Sequence, residues 1–206
     1  MERRTPLSWA ILAALLLAGT PGLAKVSGAQ PSAEECAVAV AAFTHVLSSH
    51  TDPRRRLQLG ESVSMGSIIV RQAEGEPGPP DREARRWVAF PLTDPPTFVA
   101  PPSPALVKRF GDRAPASATA CPAIRAMAAR KRVRIGVTRD RLRRNRLYRS
   151  TAIDLSAGVL SDDGLEALVY SDAVSGPLAG GGQLLLLRRT RGGPWRVVSA
   201  AGLWVS

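Results

Sequence analysis

Residues that bind metals or act as catalytic bases are scarce in this 206-residue chain, which has two histidines and two cysteines. Cys36 and Cys121 lie far apart, and neither they nor His45 and His50 show a recurrent ligand spacing. No metal site and no cofactor are therefore expected. The Gly-x-Ser-x-Gly pattern of a serine hydrolase is absent, so Ser175 has no nucleophile context, and a triad would have to recruit a histidine from across the fold. No catalytic residue is assigned. Aromatic residues make up only 5% of the chain, too few to suggest a base-stacking platform for nucleic acid. The longest apolar run, Leu7 to Gly19, has thirteen residues and is broken only by Ser8. Crossing a bilayer takes about 18 or more such residues, so no membrane-spanning segment is expected after processing. No cysteine follows the run closely, which excludes a lipid-modified one.

What the first residues do hold is the three-part pattern of a secretory signal. Arg3 and Arg4 supply the charged start, the apolar run follows, and Thr20-Pro21-Gly22 breaks the helix. Gly22 and Ala24 put small residues where signal peptidase requires them, so cleavage is expected between Ala24 and Lys25; a second site follows Ala29. Residues 1–24 then read as signal peptide, 25–31 as a flexible leader, and 32–206 as a single domain in the periplasm or outside the cell. Oxidising compartments favour paired thiols, so a Cys36–Cys121 disulfide is expected.

Charge is unevenly placed. Eleven of the 28 Lys/Arg lie between Arg125 and Arg149, against the single acid Asp140, and the rest of the processed chain balances at 15 of each sign. Arg130, Lys131, Arg132, Arg134, Arg139, Arg141, Arg143, Arg144 and Arg146 are the candidate contacts. Such a segment creates a positive field that concentrates anions. Export argues against a genome as partner. An envelope protein or an anionic surface polymer is the expected one, and the competing reading is a solvated face of an arginine-rich protein.

Ser32-Ala33-Glu34-Glu35 is a capping box, and the spacing predicts a helix from Ala33 to about Ser49. Cys36, Ala39, Val40, Phe43, Val46 and Leu47 share one face, with His45 nearly opposite and solvated. Ser62 to Arg71 reads as a strand, and residues 73–104 as a Gly/Pro-rich loop within which Asp81 to Phe90 is a short helix or a strand that Trp87 and Phe90 dock on the core. Ser103-Pro104 opens a short helix. Val133, Ile135 and Val137 alternate with basic residues as a strand. Four apolar runs, Ile153–Leu160, Leu165–Ala173, Gln183–Arg189 and Trp195–Val205, form consecutive antiparallel strands, with a tight turn at Asp162-Asp163-Gly164. Asp154, Asp162, Asp163 and Glu166 read as open, solvated carboxylates. Gly176, Gly180, Gly181 and Gly182 lack the Lys-Ser/Thr and helix of a phosphate loop. They predict a wide hairpin, with a place on a ligand rim as their functional reading.

The fold expected is therefore α+β: an N-terminal helix, with a second near Pro104, packed on a curved antiparallel sheet of four to six strands. Ala167-Leu168-Val169-Tyr170, Ser175 to Gly182, Leu185 to Arg188, Trp195-Arg196-Val197 and Trp204-Val205-Ser206 form an ordered series. In it the chain resembles a group of uncharacterised exported bacterial proteins. The resemblance implies export and an α+β fold, and transfers no activity. The expected function is a non-catalytic binding domain with a basic surface. The alternative is a small-ligand-binding or hydrolytic domain using a pocket between helix and sheet.

Overall fold

A computed structural model describes residues 30–50, 56–61, 87–90, 92–93, 95–113, 115–136, 150–176 and 179–205. The signal segment, the strand expected at Ser62–Arg71 and most of the basic run beyond Gly136 lie outside these residues. Three helices are described: α1 (Ala33–Ser49), α2 (Pro104–Arg113) and α3 (Pro122–Arg130), the last preceded by a 3-10 turn at Ala118–Ala120. The strands are β1 (Arg56–Leu59), β2 (Val88–Ala89), β3 (Arg134–Ile135), β4 (Ser150–Leu155), β5 (Val159–Leu160), β6 (Glu166–Gly176), β7 (Ala179–Arg188) and β8 (Arg196–Val205). No helix among the described residues is long and apolar enough to cross a membrane.

The fold is α+β, with one mixed, largely antiparallel sheet ordered β2-β8-β7-β6-β4-β1-β3, and β5 paired to β6. This corrects the expected four to six strands. The extra ones are short or distant in sequence: β2 and β3 have two residues each, and β1 lies in a run too brief to show alternation. It also corrects the all-antiparallel expectation, because β1 runs parallel to both β3 and β4. Parallel neighbours need a long crossover, and the chain between β1 and β4 includes α2 and α3. The two-residue outermost strands offer little edge for unwanted pairing.

Helices cover both faces. On one, Val38, Ala42 and Phe43 of α1 and Ile124 and Ala128 of α3 pack with Ile153, Val169, Leu185 and Leu187. On the other, Trp87 and Leu106 and Phe110 of α2 pack with Leu168, Tyr170, Leu184, Leu186 and Leu203. A strand buried on both sides is apolar without alternation, which explains the unbroken Leu184–Leu187. Trp87 and Phe90 do dock on the core, and Val88–Ala89 between them pairs with β8.

The first turn of α1 is tied down from several directions. Glu35 N donates to Ser32 Oγ at 3.2 Å, Ser32 N donates to the Glu35 carboxylate at 2.7 Å, and that buried carboxylate also pairs with Arg113 of α2. Glu34 accepts from Arg189 and from Trp195 Nε1, and the Arg189 guanidinium lies 4.5 Å above the Trp195 ring. Cys36 and Cys121 form a disulfide with a Cα separation of 5.5 Å. Closing a loop of about 85 residues stabilises the fold by at most about 4–5 kcal/mol in the chain-entropy picture.

The expected Ile153–Leu160 strand is in fact two, β4 and β5, divided where Gly158 meets α1. Gly158 N donates to Glu35 O at 3.3 Å, and a Cβ on Gly158 would stand 2.5 Å from Val38 Cγ1. The turn at Asp162-Asp163-Gly164 forms as expected, with Gly164 at φ +67°. The glycine segment forms no wide hairpin. Gly176 pairs with Ala179 across Pro177-Leu178, and Gly180, Gly181 and Gly182 lie inside β7 opposite Val174, Ala173 and Asp172. Gly158→Ala is therefore expected to destabilise by about 1–3 kcal/mol, the usual cost of overpacking. Gly111→Ala, in α2 with nothing within 4 Å of the added carbon, should be neutral or stabilise by up to about 1 kcal/mol. Urea midpoints decide it, and a Gly158→Ala protein as stable as its parent contradicts the close approach.

Candidate functional site

The disulfide joins the first turn of α1 to the residue that caps α3. Further along both helices, Thr44 Oγ1 lies 3.9 Å from Met127 Sδ. The helices thus run side by side in the same direction, and their C-terminal ends come out over the β3-β1-β4 margin of the sheet. There they enclose an open cleft of about 1010 Å³. Its floor is apolar, with Leu47 from α1, Leu57 from β1, Met127 from α3 and the buried Val133. Polar groups come from Thr44, Ser48, His50, Gln58 and Ser150.

The remaining wall residues are all cations: Arg56, Arg130, Lys131, Arg132 and Arg134. All five are exposed, and none makes an ion pair among the described residues. Elsewhere four arginines are matched, Arg109 with Asp162, Arg113 with Glu35, Arg188 with Glu166 and Arg189 with Glu34, while the exposed Arg125, Arg191 and Arg196 make no ion pair among the described residues. No carboxylate appears in the described lining; Glu61 lies near Gly136, beyond it. Strand register builds part of the array, since Gln58 sits between Arg134 on β3 and Ala152 on β4, and Arg56 pairs with Ser150.

The end of α3 sets the direction of three of these cations. Val133 N donates to Ala128 O at 2.8 Å and Arg132 N to Ala129 O at 3.1 Å, the double closure of a Schellman motif. That motif puts its residue after the cap in the left-handed region, where glycine is usual. Here the residue is Arg132, at φ +56°. A non-glycine residue there costs on the order of 1 kcal/mol. Helix-dipole complementarity favours cations at this end, but it has no bearing on Arg56 and Arg134, which lie on strands.

Of the basic residues expected from sequence, Arg130, Lys131, Arg132 and Arg134 meet in this cleft. Arg139, Arg141, Arg143, Arg144 and Arg146 lie outside the described residues. Gly176 and Gly180 to Gly182 belong to the β6–β7 hairpin and do not line it. Arg56 was not foreseen, because the four residues of β1 are too few to signal a strand.

Two further expectations are corrected. Asp154 is not solvated: it is buried opposite Asp172 across the β4–β6 ladder. Asp154 N donates to Asp172 Oδ1 at 3.1 Å, and Tyr170 donates its hydroxyl to Asp172 Oδ2 at 3.0 Å. Glu166 is half-buried on Arg188, and Asp162 and Asp163 alone are exposed as expected. Among the described residues no group of three His, Cys, Asp or Glu could hold a metal. Ser175 is buried, with its hydroxyl 2.8 Å from that of Thr151.

His45 is not fully solvated either. Its ring stands edge-on to Phe90, centroids 4.6 Å apart, and burial lowers its pKa. On the turn, the Ser161 hydroxyl and the Leu165 amide hold Asp163 below the usual carboxylate range.

The chain matches no protein-family model, no curated protein and no solved structure.

Two predictions follow from this geometry. Arg132→Gly relieves the left-handed backbone, so it should hold stability or raise it by up to about 1 kcal/mol in urea unfolding while removing one cation from the cleft; a clear loss of stability would mean that the side chain holds the motif together. For His45, the depressed folded pKa makes its stabilising contribution complete above the unfolded pKa. That contribution is lost as pH falls, because the unfolded chain takes up the proton first. His45→Gln should therefore lose less stability than the parent between about pH 7 and pH 5, and parallel pH profiles would remove His45 from the account.

Proposed function

We propose that the chain is an exported, non-catalytic binding domain that uses the cationic cleft to hold an anionic partner outside the cytoplasm. One observation carries this reading: five cations from α3, β1 and β3, all without ion pairs among the described residues, surround one cleft with no carboxylate in its described lining. Like charges around one hollow repel, and no carboxylate in the described lining offsets them. A bound anion does. The three-part leader and the Cys36–Cys121 crosslink support an oxidising compartment. The resemblance to exported proteins points the same way, and most of its described residues lie in β6, β7 and β8. A hydrolytic reading gains no support, since the cleft brings His50 near hydroxyls and cations but near no carboxylate in the described lining to orient it.

The test is charge reversal. A protein beginning at Lys25, with Arg130, Lys131, Arg132 and Arg134 replaced by Glu, should keep its circular dichroism spectrum and lose at least about tenfold in affinity for anionic vesicles at low ionic strength, the equivalent of roughly 1.4 kcal/mol. Binding by the parent should weaken steeply as salt rises, because exposed charges are screened within about 10 Å at 0.1 M. Equal retention of mutant and parent on the vesicles would falsify the proposal.

A further inference from the structure

We infer that the cleft takes a single amphiphile, a glycerophospholipid with an anionic head, its phosphate on the arginine rim and its chain along the apolar floor. This rests on the reading of the cleft as an anion site and says which anion. A site for a simple polyanion needs cations and hydrogen-bond donors only. This one also exposes Leu47, Leu57 and Met127, half-buried residues that continue the main core out to the cleft. An acidic glycan or polyphosphate has nothing to cover them with, and apolar surface left in water is unfavourable.

The lining argues against nucleic acid as well. His50 gives the described lining its one aromatic ring, and no Phe, Tyr or Trp is among those residues, whereas single-stranded sites stack successive bases on several such rings. The rim suits a phosphate: four of its five cations are arginines, whose planar forks engage two oxygens at once. Ser48 and Gln58 add neutral polar groups beside them. Met127 gives the floor an unbranched, adaptable side chain, of the kind that accommodates flexible chains.

Size and shape select one molecule over a bilayer surface. A concave site of about 1010 Å³ is at the upper end for small ligands, room for a head group and part of an acyl chain. A flat basic patch would suit a membrane surface, but here the cations stand around a hollow.

Calorimetry on the disulfide-bonded protein beginning at Lys25 tests this with three probes below their micellar concentrations: dihexanoyl phosphatidylglycerol, dihexanoyl phosphatidylcholine and glycerol phosphate. The expected result is one phosphatidylglycerol per protein, bound at least about tenfold tighter than either of the others. Leu57→Ser with Met127→Gln should abolish that margin and leave the affinity for glycerol phosphate unchanged. The comparison of probes on the parent protein stands even if this variant does not fold. Glycerol phosphate binding as tightly as the lipid overturns the amphiphile and leaves the anion cleft standing. Phosphatidylcholine binding equally well overturns the choice of an anionic head. Failure of every anionic probe at low salt overturns both the inference and the function beneath it.

Discussion

The bond between Cys36 and Cys121 is the constraint on which the cleft depends. α3 has nine residues, too few to persist alone, because helix nucleation is costly and short helices are marginal in water. It is held at both ends instead. The disulfide fixes its N-terminus to the first turn of α1, and at the other end the chain passes through the Arg132–Val133 closure straight into β3, which pairs with β1. Ile124 and Ala128 face the core between them. A helix located at both ends has no freedom to turn its last residues elsewhere, and so Arg130, Lys131 and Arg132 keep a constant direction relative to Arg56 and Arg134 on the sheet.

The same bond explains why α1 is so heavily anchored. A crosslink transmits position only if its first partner is itself fixed. Glu34 reaches the β7–β8 region through Arg189 and Trp195, and Glu35 caps its own helix while pairing with Arg113 of α2. Gly158 lets the chain between β4 and β5 pass against Val38 without a side chain between. These contacts come from elements on both faces of the sheet. The orientation of α1, and through the disulfide that of α3, is therefore tied to the whole fold rather than to one layer.

Where local pattern decided structure, the sequence was readable. The capping box at Ser32 and the spacing from Ala33 to Ser49 correspond to α1, Ser103-Pro104 opens α2, and Gly164 supplies the φ that its turn requires. The β6–β7–β8 meander could be read because each strand is long and neighbours its successor. Elements that depend on distant partners could not be read this way. β1 exists because β3 and β4 pair with it from far along the chain, and four residues carry too little periodicity to announce that. Burial failed for the same reason. Asp154 lies in a strand beside a turn, which looks solvated until β6 sets Asp172 opposite it and the chain after β1 brings Gly60 against its carboxylate. Half of the site followed the same rule: the cations clustered in sequence around α3 were visible as charge density, whereas Arg56 joins them only through parallel pairing.

Whether the cleft is merely a solvated basic face can be argued from what each cation costs where it stands. Helix-dipole complementarity accounts for Arg130 and Lys131, which would be favourable at a helix end in any protein. It does not require an arginine in the left-handed position, where glycine would avoid a penalty on the order of 1 kcal/mol. Nor does it require Arg134 one strand away from Arg56, with Gln58 between them. Other exposed arginines, such as Arg125, Arg191 and Arg196, also stand without an ion pair among the described residues, but singly. The cleft differs in gathering five such cations around one hollow with no carboxylate in its described lining. The grouping of these cations around a hollow with apolar lining, unpaired among the described residues, is what supports the proposal of an occupant both anionic and partly apolar.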